Sequence, residues 1–243
     1  MRIISWNIYN KNTKIFESMK FILGFKPDVI CIQEFPNKNL NLFEKFNEYN
    51  FISAKDCRPV DPLKPRPMSH LAIGIKKNIK HTMEIFKFEG KKKSFVGRLL
   101  GVKEGLQYMK INIGKYHLFN AHFSLAVPPS QRIKELKQVI NKFENKKNIV
   151  CGDFNNFTNK KINFFIGWAF GFKKRDYFMN EKDMFQEMYE KHNLINVFTK
   201  KTTHKHSRLQ LDHILLPECA NIKNQELIKY KYSDHKPIMV DIE

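Results

Sequence analysis

Five short polar strings, each next to an apolar, strand-like run, most constrain how this chain can fold. They are Ser5-Trp6-Asn7, Gln33-Glu34, Gly152-Asp153-Phe154-Asn155, Leu211-Asp212-His213 and Ser233-Asp234-His235. A strand that ends in polar residues delivers them to the edge of its sheet, so a sheet can aim all five strings at one point. Carboxylate, amide and imidazole groups without a cysteine cluster suit a hard cation such as Mg²⁺, with Mn²⁺ as an alternative, and a phosphate ester.

The spread of these strings bears on domain organisation. They run from residue 7 to residue 235, and no Gly/Ser-rich or Pro-rich linker divides the 243 residues, which predicts a single domain over 1–243. With 42% hydrophobic residues, among them 22 Phe, the chain can build a sizeable core. The four cysteines stand alone at 31, 57, 151 and 219, a spacing typical of neither a zinc site nor a disulfide framework.

The formal charge of +19 favours a polyanionic partner. Nucleic acid, DNA above all, is the first expectation and an acidic membrane surface the second. An AT-rich genome would explain the preference for Lys over Arg, but not 43 basic residues against 24 acidic ones. The N-terminus lacks the pattern of a secretion signal, and no run approaches the ~20 apolar residues that span a bilayer, so we expect a cytoplasmic location.

Hydrophobic periodicity predicts alternating strands and helices. Helices are expected over 12–23 with Thr13 as N-cap, over 130–145 and over 181–192, with a further helical stripe at Leu40, Phe43 and Phe46. An antiparallel meander is expected between His70 and His122, including a strand over 95–102, and closing strands near 209–216, 226–232 and 237–242. Residues 58–68, with four prolines, predict a stiff basic loop. Two mixed, mainly antiparallel sheets with helices outside, a four-layer α-β-β-α sandwich, accommodate this order.

The strings supply a group for each need of phosphodiester hydrolysis, which requires a cation, a base, phosphate donors and an acid. Glu34 is the best candidate metal ligand, and Asp153 is the candidate base that orients water. Asn155 can donate to phosphate. His235 can bind phosphate or exchange a proton, and Asp212 can hold its tautomer.

Three further residues complete the candidate site. His122 directly follows the run 118–121 and is a candidate acid for the leaving group. Asn7 and Asp234 are candidate metal-site residues. Taken one at a time, each of these residues has an ordinary structural explanation as a turn former, a cap or a buried histidine. Their joint recurrence next to strands favours a catalytic site.

In this order, the strings Ser-Trp-Asn, Gln-Glu, Asn-Ala-His-Phe-Ser, Gly-Asp-Phe-Asn, Leu-Asp-His-Ile-Leu and Ser-Asp-His-Lys-Pro resemble the endonuclease/exonuclease/phosphatase superfamily. The resemblance covers essentially the whole chain. It implies the four-layer sandwich, a divalent metal and hydrolysis of a phosphate ester. It matches Asn7 and Glu34 to the metal site, His122 to the phosphate-contacting acid, Asp153 with Asn155 to the central pair, Asp212 to the partner of His235, and Asp234 with His235 to the closing pair.

The branch within the superfamily is left open by the motifs. The string around His122 is similar to the deoxyribonuclease I, tyrosyl-DNA phosphodiesterase, deadenylase and sphingomyelinase branches. Residues 97–100 and 208–215 are similar to the exonuclease III-like abasic-site endonucleases. No acidic residue lies at 94–100, where deoxyribonuclease I-like chains can supply a partner for the histidine.

Candidate substrate contacts are Arg98, then Arg58 and Arg66 in the proline-rich segment, and Trp168 in the segment Lys160–Lys174. In that last segment five aromatic residues lie between lysines. Aromatic rings flanked by cations suit stacking on unpaired bases, and equally suit insertion into lipid headgroups. A buried helix with solvated ends gives the same pattern.

The leading interpretation is therefore a Mg²⁺-dependent nuclease, an endonuclease or exonuclease, or a DNA-repair phosphodiesterase, since phosphate contacts dominate affinity for nucleic acid. The alternative enzyme is a phospholipid or inositol-phosphate hydrolase, for which the aromatic segment argues. A basic nucleic-acid-binding protein without catalysis is a third hypothesis. It is disfavoured because a binding protein has no need of all five residues Glu34, Asp153, Asn155, Asp212 and His235.

Overall fold

Strands make up most of the regular structure in the computed structural model, which describes residues 1–59, 68–90, 102–103, 105–145 and 147–243. The helices are α1 (Ile15–Leu23), α2 (Pro129–Ile140), α3 (Lys160–Phe170), α4 (Lys174–Tyr177) and α5 (Glu181–Lys191), and a 3₁₀ helix covers Asn37–Lys45. The strands are β1 (Arg2–Asn7), β2 (Val29–Pro36), β3 (Tyr49–Pro59), β4 (Ser69–Lys76), β5 (Thr82–Lys87), β6 (Val102–Lys103), β7 (Gln107–Ile113), β8 (Tyr116–His122), β9 (Lys147–Asp153), β10 (Leu194–Asn196), β11 (Asp212–Pro217), β12 (Ile222–Leu227) and β13 (Ile238–Ile242).

The strands form two mixed sheets. One has the order β12-β13-β1-β2-β4-β3-β6 and the other β10-β11-β9-β8-β7-β5. Each sheet holds one parallel pair near its centre, β1 with β2 and β8 with β9, while their other pairings are antiparallel. The predicted α/β class and the two mixed, mainly antiparallel sheets are confirmed.

Apolar side chains on both faces of the central strands create the layers. On β1, Ile3 lies in the core between the two sheets, whereas Ile4 lies in an outer cluster with Met19 and Ile22 of α1. On the other side of the molecule, α2 and α5 cover the second sheet through a cluster that includes Leu136 and Phe185. Helices therefore cover both outer faces, which gives the four-layer sandwich predicted from the sequence.

Several predicted boundaries shift. Helix α1 begins at Ile15, and Asn12 Oδ1, rather than Thr13, accepts the Lys14 N–H at 2.8 Å. The strand expected over 226–232 is instead β12, which ends at Leu227. The expected single meander is wrong, because β4 belongs to the first sheet while β5, β7 and β8 belong to the second.

The proline-rich segment differs in part from its prediction. Strand β3 runs on to Pro59, and Arg58 pairs with Lys103 of β6, so Arg58 belongs to a strand and not to the expected loop. Residues 60–67, which include Arg66, and 91–101, which include Arg98 and most of the strand expected over 95–102, lie outside the described residues. In the described ranges, no helix has both the length and the apolar character needed to cross a bilayer.

Candidate active site

The strand pairing brings the polar strings together. Asn7 at the end of β1 lies opposite Gln33 of the parallel strand β2. In the second sheet, His122 at the end of β8 lies opposite Asp153 of the parallel strand β9, and Asp153 also pairs with Asp212 of β11. Asp212 begins a strand and does not end one. It still reaches the same edge, because β11 is antiparallel to β9.

These strand ends surround a cavity of about 360 Å³. Its lining includes six residues predicted from the sequence, namely Glu34, His122, Asp153, Asn155, Asp234 and His235. The other two, Asn7 and Asp212, are buried and contact lining residues directly. The eight residues proposed for catalysis and metal binding therefore meet at one place, although they come from both sheets.

Asp153 lies at the centre of the cluster. Its Oδ1 accepts the Asn155 N–H at 3.0 Å, and its Oδ2 accepts Asn7 Nδ2 at 3.0 Å. The Nε2 atoms of His122 and His235 each lie 3.7 Å from the same Oδ2 atom. That distance is longer than a hydrogen bond, so the Nε2 atom of each imidazole is not hydrogen-bonded to Asp153 and is available to a substrate oxygen.

Each of the two histidines is held from behind by a buried carboxylate. His235 Nδ1 lies 2.8 Å from Asp212 Oδ2, the pairing predicted from the sequence. His122 Nδ1 lies 2.9 Å from Asp56 Oδ2. An Nδ1–H donated to a carboxylate fixes the ring and directs Nε2 into the cavity. The site thus consists of two Asp–His pairs that face one central carboxylate.

Asp56 is one of the site residues that the sequence did not reveal. It is fully buried on β3, and its Oδ2 also accepts the Glu34 backbone N–H at 3.3 Å. The family resemblance points to 94–100 for a partner of His122, whereas Asp56 lies 66 positions before the histidine. The one signal available in the sequence was the position of Asp56 within a strand-like run. A carboxylate that such a run buries almost always has a partner.

The paired carboxylates change the acidity of both histidines. Burial lowers the pKa of His235, but the charges of Asp212 and Asp153 outweigh burial and raise that pKa to about 10. Burial likewise opposes the charge on His122, yet Asp56 raises its pKa well above the ordinary value. Both shifts favour the doubly protonated imidazolium form, which presents a positive charge to the cavity.

The pKa of Asp153 is raised, whereas the pKa of a carboxylate paired with cations is usually lowered. Burial raises its pKa to about 6, and the charge of Asp212 adds to the shift, while His235, His122 and Asn7 counteract it. A carboxylate with a pKa near 6 is ionised at neutral pH and is a stronger proton acceptor than an ordinary Asp.

Glu34 reaches the cavity through a local irregularity in β2. The register between β2 and β4 shifts between Ile32 and Phe35, which marks a β-bulge, and Glu34 has a φ of 56°. A non-glycine residue in the left-handed region is strained, and strain of this kind clusters at functional sites. The bulge lets β2 continue to Pro36, past the strand end expected at Glu34, while the carboxylate turns toward Asn7.

The loop after β9 depends on a glycine. Gly152 has a φ of 144°, and a Cβ at this position would lie 1.8 Å from the Ala121 carbonyl oxygen. The β8 and β9 backbones can therefore lie this close together only if residue 152 has no side chain. Beyond it, Asn155 has a φ of 49°, and its Nδ2 donates to the Phe123 carbonyl oxygen at 2.9 Å. This bond fixes the amide and leaves its second hydrogen for a ligand.

The groups proposed for the metal side offer hard oxygen donors. Glu34 and Asp234 line the cavity, and Asp234 Oδ1 is buried with no hydrogen-bond partner in the described part of the chain. A buried, unpaired carboxylate oxygen suits a cation such as Mg²⁺. Asn7 turns its NH₂ group to Glu34 at 3.2 Å and to Asp153, while its Oδ1 accepts the Tyr9 N–H, so its amide links the proposed metal ligand to the proposed base.

A third histidine, His204, also lines the cavity. Its Nε2 lies 3.7 Å from Asp234 Oδ2, and its ring lies edge-on to that of His235 at 4.7 Å between centroids. With burial alone the pKa of Asp234 would rise, but His204 and His235 hold it below its ordinary value. His204 was not predicted from the sequence, because it belongs to none of the polar strings.

Among the proposed substrate contacts, Trp168 has a described side chain, and it is not brought to this cavity. Trp168 lies on α3, and none of the described residues that line the cavity comes from that helix. The predicted alternative of a buried helix over 160–174 is wrong, because Phe164, Phe165 and Trp168 are 76%, 76% and 72% exposed. The side chains of Arg58, Arg66 and Arg98 are outside the described residues.

The four-layer sandwich and its central cluster of carboxylates and histidines define a class of phosphoric ester hydrolases. A profile of the Endonuclease/Exonuclease/phosphatase family matches residues 4–235, and the chain belongs to that family. Its enzymes typically use divalent metal ions. No curated protein sequence matches the chain.

Solved structures share this fold at low sequence identity. An endonuclease/exonuclease/phosphatase family protein from Leptotrichia buccalis C-1013-b superposes with a TM-score of 0.68 at 18% identity, over 100% of this chain and 99% of the other. The human Nocturnin catalytic domain with bound sulfate anion gives 0.66 at 15% identity, over 100% and 93%. ANGEL2, a 2′,3′-cyclic phosphatase in complex with adenosine-2′,3′-vanadate, gives 0.64 at 14%, over 98% and 94%.

Proposed function

We propose that this protein is a Mg²⁺-dependent phosphodiesterase that hydrolyses nucleic acid, with DNA as the first substrate to test. The observation that carries the proposal is the pair of buried Asp–His couples, Asp56 with His122 and Asp212 with His235, on either side of Asp153. Two protonated imidazoles around an ionised carboxylate offer an acid, a phosphate-binding cation and a base within one cavity.

The proposed roles follow from the contacts of each group. Asp153, with its pKa raised to about 6, orients a water molecule and accepts its proton. His235 and the free hydrogen of Asn155 donate to the phosphate oxygens. His122 donates its Nε2 proton to the leaving oxygen, and Asp56 keeps it protonated and oriented. Glu34 and Asp234 would hold the Mg²⁺ ion, which, when bound, neutralises phosphate charge.

A polyanionic substrate is supported by the surface beside the cavity. A second groove of about 420 Å³ shares Leu209 with the catalytic cavity. Its lining includes four basic residues, Lys182, Lys200, Lys201 and Arg208, against one acidic residue, Asp183. A strand of nucleic acid with one phosphate in the cavity would place its next phosphates near such a groove. The complex of ANGEL2 with adenosine-2′,3′-vanadate shows a related fold that holds a nucleotide phosphate analogue.

The test is cleavage of labelled DNA duplexes with and without an abasic site, and of single-stranded DNA and RNA, in Mg²⁺ and in chelator. We expect Mg²⁺-dependent cleavage of at least one of these nucleic acids. The variant Asp153→Asn should lose this activity and keep nucleic-acid binding. Unchanged cleavage by Asp153→Asn would overturn the assignment of the base. Hydrolysis of a phospholipid or an inositol phosphate, with none of any nucleic acid, would establish the alternative substrate class.

A further inference from the structure

Helix α3 exposes an unusually apolar surface. Phe164, Phe165 and Trp168 are 76%, 76% and 72% exposed, and Phe178, shortly after α4, is 68% exposed. Side chains of this size are normally buried, and an exposed group of them marks a surface that contacts another apolar phase. None of the four belongs to the hydrophobic core clusters formed by the described residues.

The polar side of α3, and not its apolar side, faces the protein. Asn163 is fully buried, and its Nδ2 donates to the carbonyl oxygens of Asp176 at 2.9 Å and Met179 at 2.8 Å. Gly167 is also buried, and a Cβ there would lie 2.6 Å from the Tyr177 ring. The helix is therefore attached by hydrogen bonds and close backbone packing with its aromatic face outward, the reverse of a helix that covers a core.

A basic cavity lies at the C-terminal end of this helix. It has a volume of about 290 Å³, and its lining includes Phe170 at the end of α3 together with Lys134, Lys173 and Arg175. Lys160 and Lys161 add exposed positive charge at the other end of the helix. Cations thus flank the aromatic face at both ends, and the buried Asp176 is the acidic residue of the cavity lining.

We propose that α3 and the basic cavity at its C-terminal end dock this protein on the surface of an anionic phospholipid bilayer. Phe164, Phe165 and Trp168 enter the headgroup region, and Lys134, Lys173 and Arg175 contact lipid phosphates. Aromatic residues on a helix flanked by basic residues are the features of segments that lie in a membrane interface. This inference is independent of the proposed substrate, because no α3 residue is among the described lining of the catalytic cavity.

Two other occupants fit less well. Successive bases of a single strand stack on parallel aromatic faces, whereas the rings of Phe164 and Phe165 lie 6.1 Å apart at an angle of 89°. A second copy of the chain would bring another net charge of +19 against the lysines and arginine at the ends of the helix. An anionic bilayer matches both the apolar face and the charge around it.

Trp168 gives a direct test, because the chain has two tryptophans and the other, Trp6, is fully buried. We expect vesicles of phosphatidylcholine with phosphatidylserine to shift the tryptophan emission to shorter wavelength and to reduce its quenching by acrylamide. Pure phosphatidylcholine vesicles should cause a far smaller change. No response to anionic vesicles would overturn the proposal, and a response to single-stranded oligonucleotide in chelator that is lost in Trp168→Phe would assign α3 to nucleic acid, since Trp6 also contacts the catalytic site through its bond to the His235 carbonyl oxygen.

Vesicle sedimentation with variants tests both parts of the surface. The triple variant Phe164→Ser/Phe165→Ser/Trp168→Ser should reduce partitioning into anionic vesicles by about tenfold or more, and so should Lys173→Glu/Arg175→Glu. Matched controls are Ile85→Ser, an exposed apolar residue on β5, and Lys77→Glu/Lys80→Glu, at exposed positions between β4 and β5. Both controls should bind as the wild type does.

Equal loss of binding in the controls and in the two test variants, or no loss in either test variant, would overturn the proposal. Each variant is checked by circular dichroism, so that a misfolded protein is not scored. Hydrolysis of a soluble phosphodiester by the triple variant should equal that of the wild type. If the wild type hydrolyses no nucleic acid, the proposed function fails, while vesicle binding is still measured by itself.

Discussion

Asp56 is the residue on which the orientation of His122 depends. Its carboxylate contacts His122 Nδ1 through both oxygens, at 3.1 and 2.9 Å, and raises the pKa of the imidazole. Without that charge, burial would lower the pKa of His122 against the weaker effects of Asp153 and Glu34, and a neutral imidazole is a far weaker acid toward the leaving oxygen. The variant Asp56→Asn therefore should lower kcat by about 10²-fold at neutral pH, with a smaller effect on KM.

A double-mutant cycle and a pH profile check this prediction. Asp56→Asn added to His122→Ala should cause little further loss, because the two residues act as one unit. The acid that must be protonated should show a lower apparent pKa in Asp56→Asn, so that part of the lost activity returns as the pH falls. An unchanged pH profile together with additive losses would show that Asp56 acts only on stability.

His213 is a buried histidine whose pKa is lowered, whereas that of His122 is raised. Burial lowers its pKa to about 3, and its ring stacks on Phe154. Its Nδ1 faces the NH₂ group of Asn196 at 3.0 Å, and Asn196 Oδ1 accepts the Phe198 N–H, which fixes the amide orientation. Its Nε2 lies 2.9 Å from Asn156 Oδ1. A proton on Nδ1 would point at another donor, so the folded state holds this ring neutral.

The sign of the pH effect follows from that depressed pKa. The unfolded chain binds a proton at His213 below pH 6.5, whereas the folded protein does so only near pH 3. The stability from the neutral ring is thus complete above pH 6.5 and falls by about 1.4 kcal/mol per pH unit below it. Urea unfolding at pH 6.5 and 4.5 should show a loss about 2–3 kcal/mol smaller in His213→Gln than in the wild type. Identical pH dependence in the two proteins would contradict a neutral His213.

At the scale of single residues, sequence could predict groups that recur in ordered strings and could not predict their distant partners. His122 follows an apolar run and belongs to a recognisable string. Asp56 and His204 lie next to no such string. Asp56 reaches the site because β3 pairs with β4, and His204 reaches it because it forms an isolated β-bridge with His235. The contact that defines a partner exists only in three dimensions.

Among the elements, β8 and β9 are the pair on which the site most depends, since their register places His122 opposite Asp153. The Gly152→Ala substitution should break this pairing, because the added Cβ would meet the Ala121 carbonyl oxygen at 1.8 Å. We expect it to cost about 3 kcal/mol or more in the free energy of unfolding and to reduce activity.

Gly114→Ala is the matched control for this substitution. Gly114 also has a positive φ, of 53°, but an added Cβ would meet nothing within 4 Å among the described residues. It should therefore cost only about 1–2 kcal/mol, the strain of the left-handed conformation itself. Equal losses for the two variants in urea unfolding would show that φ alone, and not the close approach of the two strands, requires Gly152.

Element boundaries show why the sequence prediction was partly wrong at this scale. An apolar run predicts that a strand exists, but β2 continues past Glu34 because a β-bulge restores its pairing with β4. Likewise, the short strands between 70 and 122 carry no local signal for which sheet they join, and β4 joins β2 and β3 instead of the later strands. Sheet membership follows from which apolar faces pack together, a property of the whole molecule.

For the molecule as a whole, a single unit over 1–243 stays our prediction for its domain organisation. Its physical basis is that the proposed site combines residues from β1 near one end of the chain with His235 near the other. The +19 charge acts at this scale too, since it raises the local concentration of a polyanionic substrate around the entire surface. Charge of this kind supports binding and carries no information on which phosphodiester is cleaved.

Substitutions in the basic groove beside the cavity can distinguish specific phosphate contacts from the general attraction of the net charge. Lys200 and Lys201 line it and are exposed. If both contact phosphates, Lys200→Ala/Lys201→Ala should lower the slope of log affinity against log salt by about 1.4–1.8, with a weaker affinity at each salt concentration. The control Lys77→Ala/Lys80→Ala makes the same change in net charge outside the groove. It should leave the slope close to that of the wild type.

Fluorescence anisotropy of a labelled oligonucleotide with Asp153→Asn as the background measures both slopes without cleavage. Equal slopes in the two double variants would mean that net charge alone, and not the groove, holds the nucleic acid.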